Sequence, residues 1–279
     1  KTGKKKIVVA SILAALAMAG SMQNVEATIP EGTATGTDAF AIGPQSNVNG
    51  AFGFAIGNNS KFNGGTLGFA IGVNSEATSN QSIAIGYLSK ATGRNNGGGG
   101  DPALAVGAGA TATEAGTSAF GLSANASGTY ATAIGFKSTV SGNDGMAIGA
   151  SSKASKQGAS AMGPGARAYG NGAISLGYQA LSGANTYTGA ANSAAPFDDK
   201  DATINTYAKW GDAAIGLRAV ATGGNATALG RSASATAANA IAIGGGNGNS
   251  ERDNTEKTEA TGEKATAIGY NAKAGAEKS

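Results

Sequence analysis

Apolar and polar residues alternate in short bursts that return every fourteen residues along most of this chain. Each burst contains a small residue, an apolar residue and a glycine, as in TAIGFKSTVSGNDG followed by MAIGASSKASKQGA. Within a burst, large side chains stand on either side of an alanine, which is the two-residue period of a β-strand. The pattern therefore predicts a short strand in each repeat of an array.

The repeat can be counted from the apolar residue that precedes each glycine. There are fourteen units, and nine of the thirteen intervals between them are fourteen residues long; the others equal one period plus an insertion. Ala precedes the apolar residue in thirteen units, and Ser175 is the exception. The apolar residues, termed position 0, are Ile42, Ile56, Ile71, Ile85, Val106, Phe120, Ile134, Ile148, Met162, Leu176, Ile215, Leu229, Ile243 and Ile268.

A second short segment follows in each unit, with small or apolar residues at positions +4 and +6, as in Ser138 and Val140. Gly at position +1, and often at +8, marks two reversals, because Gly allows positive φ and close approach of backbones. Two strands and two turns make one coil, and stacked coils place equivalent strands in parallel sheets. The predicted fold is an all-β parallel β-roll, a solenoid of 14-residue repeats.

The near-uniform Ala at position −1 is predicted to face outward, with its larger neighbours inside the coil. A solvent-facing strand position ordinarily varies among polar residues, so uniform Ala suggests that another backbone packs against it. Ala84, Ala133 and Ala147 are therefore candidates for an interface between subunits. A drift toward Ala in a low-complexity repeat is the alternative explanation.

The first residues are predicted to be a signal peptide rather than part of the fold. Four Lys residues precede the apolar run IVVASILAALAMAG at 7–20, and small residues follow it, so cleavage is expected after Ala27. The run is shorter than the ~20 residues of a membrane-spanning helix. An amphipathic or buried helix is the alternative, but the run has no polar face. Residues 28–37 form a lead-in, and the repeats occupy 38–279.

Composition argues against several classes of function. Residues 28–279 carry equal numbers of basic and acidic residues, so no basic patch indicates nucleic acid. The chain has no Cys and no His, which excludes disulfides and thiol chemistry. A polysaccharide-cleaving β-helix is the enzymatic alternative, but acid/base catalysis needs positioned carboxylates, and the acids are scattered apart from the DDKD run at 198–201. We expect no enzymatic activity, cofactor or metal site.

The units QSIAIGYLS (81–89), NAIAIGGGN (239–247) and ATAIGFKS (131–138) resemble the YadA-like heads of trimeric autotransporter adhesins, whose repeats read N-S-V-A-I-G-x-x-S/A. The resemblance runs from residue 38 to about residue 275. It implies a left-handed parallel β-roll, a homotrimer, and a virulence-related head at the bacterial outer membrane that binds host matrix, host cells or other bacteria. A coiled-coil stalk and a β-barrel membrane anchor, which such heads carry, are expected outside this chain.

The same resemblance suggests a ligand-binding role for the repeat motif, because some relatives bind collagen through it. In this sequence the residues that match the motif best are Ser82, Ile83, Ile85, Gly86 and Ser89. The geometry of a coil explains the same residues without a ligand.

Three insertions, near 94–101, 185–212 and 245–264, are candidate binding features on the surface of the solenoid. The first and third are predicted to be solvated loops. The second includes the strand-like segment TINTYAKW and is predicted to form a protruding hairpin that recognises a protein ligand. A small satellite core that holds the loop against the coils is the alternative. The candidate ligand contacts are Tyr187, Phe197, Tyr207, Lys209 and Trp210.

A purely structural solenoid or fibre shaft is the main competing interpretation, and it predicts that no insertion binds a ligand. Ice binding is disfavoured because Thr recurs at no position in every unit. Calcium-binding nonapeptide repeats are excluded by the period and by the lack of a repeated Asp.

Overall fold

The computed structural model describes residues 32–94, 101–183, 186–187, 202–203, 211–246 and 256–276. These residues form short strands joined by tight turns, and there is no helix among them. The chain divides after Pro30, and every described residue belongs to the unit Glu31–Ser279. The predicted signal peptide with its cleavage site at Ala27 lies outside the described residues.

The first sheet contains fourteen parallel strands in chain order, one from each repeat unit. Each strand ends at position 0, as the alternation of side chains predicts. The strands are Phe40–Ile42, Ala51–Ile56, Thr66–Ile71, Ile83–Ile85, Leu104–Val106, Ser118–Phe120, Thr132–Ile134, Met146–Ile148, Ser160–Met162, Ile174–Leu176, Ala213–Ile215, Thr227–Leu229, Ile241–Ile243 and Thr266–Ile268.

The second sheet contains fifteen parallel strands, also in chain order, and most are only two residues long. They are Thr33–Ala34, Asn47–Val48, Lys61–Phe62, Glu76–Ala77, Lys90–Arg94, Thr111–Glu114, Asn125–Ala126, Thr139–Val140, Lys153–Ala154, Arg167–Ala168, Leu181–Ser182, Val220–Ala221, Ser234–Ala235, Glu259–Ala260 and Lys273–Ala274. A separate antiparallel pair joins Thr186–Tyr187 to Ala202–Thr203.

Equivalent positions of successive repeats pair with one another in both sheets. Ala133 pairs with Ala147 across one period of fourteen residues. The register also survives the longest insertion, because Ser175 pairs with Ala214 although 39 residues separate them. The coils on either side of each insertion therefore keep the same register. The structure confirms a parallel β-solenoid of about fourteen coils.

The Ala at position −1 lies inside the coils, and the prediction that it faces outward is wrong. Ala84, Ala133 and Ala147 are fully buried within the single chain, so they cannot contact another subunit. The physical reason is the perimeter of the coil, because fourteen residues enclose too little space for large side chains from both sheets. The interior is built from methyl and hydroxymethyl groups, while the larger residues at positions −2 and 0 point outward.

One aromatic ring is an exception to this thin interior. Phe62 is fully buried at a position where other coils have Ala, Val or, at residue 182, Ser. Glycines at position −3 make room for it: a Cβ on Gly53 or on Gly68 would lie 2.1 Å from the Phe62 ring. The core is thus adjusted locally, with two small residues compensating for one large one.

Each coil turns through left-handed backbone at three places. The glycine at position +1 is one of them: Gly135 has a φ of +127°, and a Cβ on it would lie 2.6 Å from the carbonyl oxygen of Gly149 in the next coil. Two further corners lie at positions +3 and −4, and many of these residues are not glycine, such as Lys137 (φ 53°) and Asp144 (φ 54°). The sequence pattern predicts the first corner and, through Gly at position +8, the reversal that leads to position −4, where a Cβ on Gly142 would lie 1.9 Å from the carbonyl oxygen of Lys156. It gives no signal for the left-handed residue at position +3.

Candidate binding surfaces

The outer face of the first sheet carries an apolar side chain at position 0 in every coil, and at position −2 in all but five coils, which have Ser or Thr there. Its outward side chains occupy positions −2 and 0, and the most exposed are Ile56, Ile85, Ile134, Met146, Ile174, Leu176, Leu229, Ile241 and Ile268. Exposed side chains at position +2 continue this surface around the corner of the coils: Val73, Tyr87, Leu122, Phe136, Tyr178, Leu217 and Tyr270. We call these residues the apolar face. Large exposed apolar patches mark interaction sites, and parallel sheets are usually covered on both faces.

Stacked aromatic rings begin this surface at the N-terminal coils. The ring centroids of Phe40 and Phe54 are 5.4 Å apart, those of Phe54 and Phe69 are 5.1 Å apart, and the planes are nearly parallel. Such pairs contribute ~0.5–1.5 kcal/mol beyond the burial of their area. The stack therefore supports the register of the first coils from outside the narrow core.

The motif residues predicted to bind a ligand divide between the two sides of the coil. Ser82 and Ser89 are buried, and their hydroxyls donate to backbone carbonyls of their own coil, at Ser79 (2.6 Å) and Gly86 (2.9 Å). Gly86, at φ +132°, forms the corner. Only Ile83 and Ile85 reach the outer face, where they belong to the apolar surface. These five residues therefore do not form one ligand-binding cluster.

The aromatic candidates of the second insertion fall largely outside the described residues. Tyr187 lies in the strand that pairs antiparallel with Ala202–Thr203, so a short hairpin ladder does stand at the base of the insertion. Phe197, Tyr207, Lys209 and Trp210 lie outside the described residues, and their ligand-binding role stays a prediction.

The coils beside this insertion differ from the rest of the solenoid. Tyr169, Leu181 and Val220 form a separate buried apolar cluster on the second sheet, at positions where other coils carry exposed polar residues. Where the repeat resumes, the buried Asp212 accepts hydrogen bonds at Oδ1 from the backbone N–H of Gly224 (2.9 Å) and of Ala226 (2.8 Å). Packing and hydrogen bonding thus fix both ends of the insertion to the coils.

The outer face of the second sheet is mostly polar, and opposite charges lie side by side on it in two places. Lys90 lies 3.2 Å from Glu76 in the neighbouring coil. Near the C-terminus, Glu259 contacts Lys257 (2.7 Å) and Lys273 (3.4 Å). Partial burial works to raise the pKa of the Glu259 carboxyl, but the two ammonium groups outweigh burial and hold that pKa below its usual value.

The described part of the chain contains no group of three or more His, Cys, Asp or Glu side chains that could hold a metal ion. Within the same residues, no helix is long and apolar enough to cross a membrane.

Seven segments of the chain match a family model described as the YadA head domain repeat (2 copies). They are residues 34–60, 64–89, 77–95, 126–152, 154–180, 221–247 and 260–279, and together they cover more than half of the 279 residues. No curated protein matches the chain at a significant level.

Proposed function

The chain belongs to the YadA head domain repeat family, and from this premise we propose that it is the head of a homotrimeric autotransporter adhesin on the bacterial cell surface. In this proposal the roll is left-handed, the chain is exported by the signal peptide that ends at Ala27, and no enzymatic step takes place. The head attaches noncovalently to host extracellular matrix of the collagen type, to host cells or to other bacteria.

The observation that carries the proposal is the apolar face of a chain built from YadA head repeats. Burial of apolar surface contributes roughly 25 cal/mol per Å², so a row of exposed Ile, Leu and Phe side chains favours association. The corresponding row on a second copy offers the same chemistry at the same spacing. We propose that three copies pack through this face, which replaces the buried Ala stripe as the interface between subunits.

A trimer of such heads suits adhesion, because each copy presents the same surface. Three weak contacts per head, and many heads per cell, raise the avidity without any single tight site. The polar face of the second sheet lies on the opposite side of the coil from the apolar face. It therefore stays open to ligands in this arrangement, as do the insertions that leave the coils.

The test is attachment of the purified protein to collagen-coated surfaces and to cultured host cells. A variant with Ile134→Ser and Ile174→Ser should lose trimer mass and attach more weakly, since avidity is lost. A matched control with Thr78→Ser and Thr236→Ser, beside strands of the second sheet on the opposite face, should keep both. If the wild-type trimer attaches to neither surface, the structural shaft is the better interpretation.

The insertion is tested separately with Tyr207→Ala and Trp210→Ala. Weaker attachment with an unchanged unfolding temperature would assign the insertion to ligand binding. A lowered unfolding temperature would instead support the satellite core, of which Tyr169, Leu181 and Val220 would then form the coil side.

A further inference from the structure

The stacking of the coils brings together basic side chains that are far apart in the sequence. Lys137, Lys153 and Arg167 belong to three successive coils, each displaced by about 4.8 Å along the solenoid. They border one cavity of about 180 Å³, which lies where strands in the middle of the second sheet begin. The full lining consists of Lys137, Thr139, Ser151, Ser152, Lys153 and Arg167.

The signs of the charges distinguish this place from the rest of the second sheet. Lys153 and Arg167 are direct partners across neighbouring strands. In the other coils this position is mostly uncharged, and where two charges are neighbours they are opposite in sign, as where Glu76 stands between Lys61 and Lys90. Like charges side by side in a ladder repel each other, so this pairing lowers stability. The same pairing concentrates positive potential at the cavity.

The surrounding segment adds to this potential. Residues 104–183, which contain the cavity and the coils that lead to it, carry four cations, Lys137, Lys153, Lys156 and Arg167, and two acids, Glu114 and Asp144, whereas residues 28–279 as a whole are balanced. Arg167 is only 8% exposed, so the two lysines at the cavity present most of the accessible charge. The sequence alone shows no basic patch because these cations are fourteen and sixteen residues apart.

Uncharged hydroxyl and amide groups extend the site along the second sheet. The outward positions of the coils that precede the cavity carry Thr111, Thr113, Asn125, Ser127, Thr139 and Ser141, all at least partly exposed. A linear strip of hydroxyls that leads to a cluster of cations provides both types of contact that an acidic sugar chain needs.

We propose that this cavity and strip bind an acidic polysaccharide, with Lys137 and Lys153 contacting its sulfate or carboxylate groups. Ammonium groups form strong charge-assisted hydrogen bonds to such anions. A polysaccharide fits better than a single-stranded nucleic acid, because the site has no row of exposed rings on which bases would stack. The cavity lining has no aromatic side chain, and of the two rings beside the lysines Tyr169 is fully buried, which leaves Phe136 as the exposed one. The site deepens the proposed adhesive function, on which it rests, by naming one ligand class. It borders the apolar face at Phe136, whose ring centroid lies 5.0 Å from Lys137 Nζ.

The experiment measures binding of the purified protein to heparin, as a sulfated polysaccharide, by calorimetry at several salt concentrations. Hyaluronate, which carries only carboxylates, and single-stranded DNA serve as comparison ligands. The test variant is Lys137→Gln with Lys153→Gln, and Gln suits the first site because Gln45 and Gln179 occupy the same corner of other coils. The matched control, Lys61→Gln with Lys90→Gln, removes the same charge from the same sheet.

We expect the test variant to lose at least about tenfold in heparin affinity at low salt, and the salt dependence to fall by about one unit of slope per lost ion pair. The control should bind like the wild type. If heparin binds tightly and hyaluronate does not, the site recognises sulfate groups. If both bind and both depend on the two lysines, the site recognises anionic sugars of either kind.

Equal heparin affinity of the test variant and the wild type would overturn the proposal, and so would an equal loss in the control. Binding of single-stranded DNA as tight as that of heparin would also overturn it, since the site would then recognise any polyanion. Heparin binding is measured on the isolated protein, so it can fail while trimer mass and attachment to cells persist, and the reverse also holds.

Discussion

The buried ring of Phe62 offers the sharpest test of how the interior is packed. The three atoms nearest to a Cβ built on Gly68 all belong to this ring, at 2.1, 2.7 and 2.7 Å. A Cβ essentially never lies within 3.0 Å of another heavy atom, so Gly68→Ala must displace the ring or the strand. Overpacking of this sort costs about 1–3 kcal/mol. Removing the ring with Phe62→Ala should itself cost about 3–5 kcal/mol, because a cavity remains in the core.

The two substitutions together should cost less than the sum of their separate effects. In the Phe62→Ala background the methyl group of Gly68→Ala enters the vacated space, and the backbone also gains because Gly in a strand is unfavourable by roughly 0.5–1 kcal/mol. Gly68 does not lie among the residues of positive φ, so Ala suits its backbone. The double-mutant cycle should therefore show a favourable coupling of about 1–3 kcal/mol.

The assay is native-state hydrogen exchange of the amides in strands Lys61–Phe62 and Thr66–Ile71, which reports the free energy of local opening. A local measurement is preferable because long repeat arrays do not always unfold in two states. The reasoning is refuted if Gly68→Ala destabilises these strands equally with and without the Phe62 ring.

Three further outcomes follow from the same coil geometry. Gly135→Ala should destabilise the protein by several kcal/mol in urea unfolding, because a left-handed corner and a clash with the next coil combine; a change under about 0.5 kcal/mol would contradict the turn. Ala133→Lys should prevent folding, as seen by circular dichroism, since it would bury an unpaired charge. A folded monomer would instead indicate that the side chain at position 133 faces outward. Glu259→Gln should lower stability slightly at pH 7. That difference in stability should begin to shrink at about pH 4.3, the usual pKa of Glu. It should be lost once the pH falls below the lower pKa that Lys257 and Lys273 give Glu259 in the folded state. A difference that persists at pH 2 would rule out the charge effect.

The period of the sequence predicts most of the architecture. The spacing of position 0 gives the number of coils, the two strands per coil and the register, and the pairing of Ser175 with Ala214 follows from that spacing even across the longest insertion. Gly at position +1 is predicted as a corner for a reason that the structure confirms. These features depend only on covalent spacing and on backbone conformation, both of which the sequence contains directly.

The direction of the side chains is not predicted correctly, because alternation identifies two faces without saying which is inside. The usual preference for large apolar residues in the core fails here, since the small perimeter of the coil admits Ala133 and not Ile134. The constancy of Ala was itself the signal, because an interior that fits one size of side chain selects one residue. The basic cavity was missed for a related reason: Lys137 and Lys153 become neighbours only when positions are compared coil by coil.

The most direct test of the account is the mass of the purified protein in solution, measured by sedimentation equilibrium alongside the Ile134→Ser and Ile174→Ser variant. One chain has a mass of 26.8 kDa. The account predicts a wild-type species of close to three times the mass of one chain and a variant that dissociates toward one chain while keeping its β-sheet spectrum. A wild-type protein that stays a folded monomer across micromolar concentrations would contradict it, because the apolar face would then be exposed without a partner.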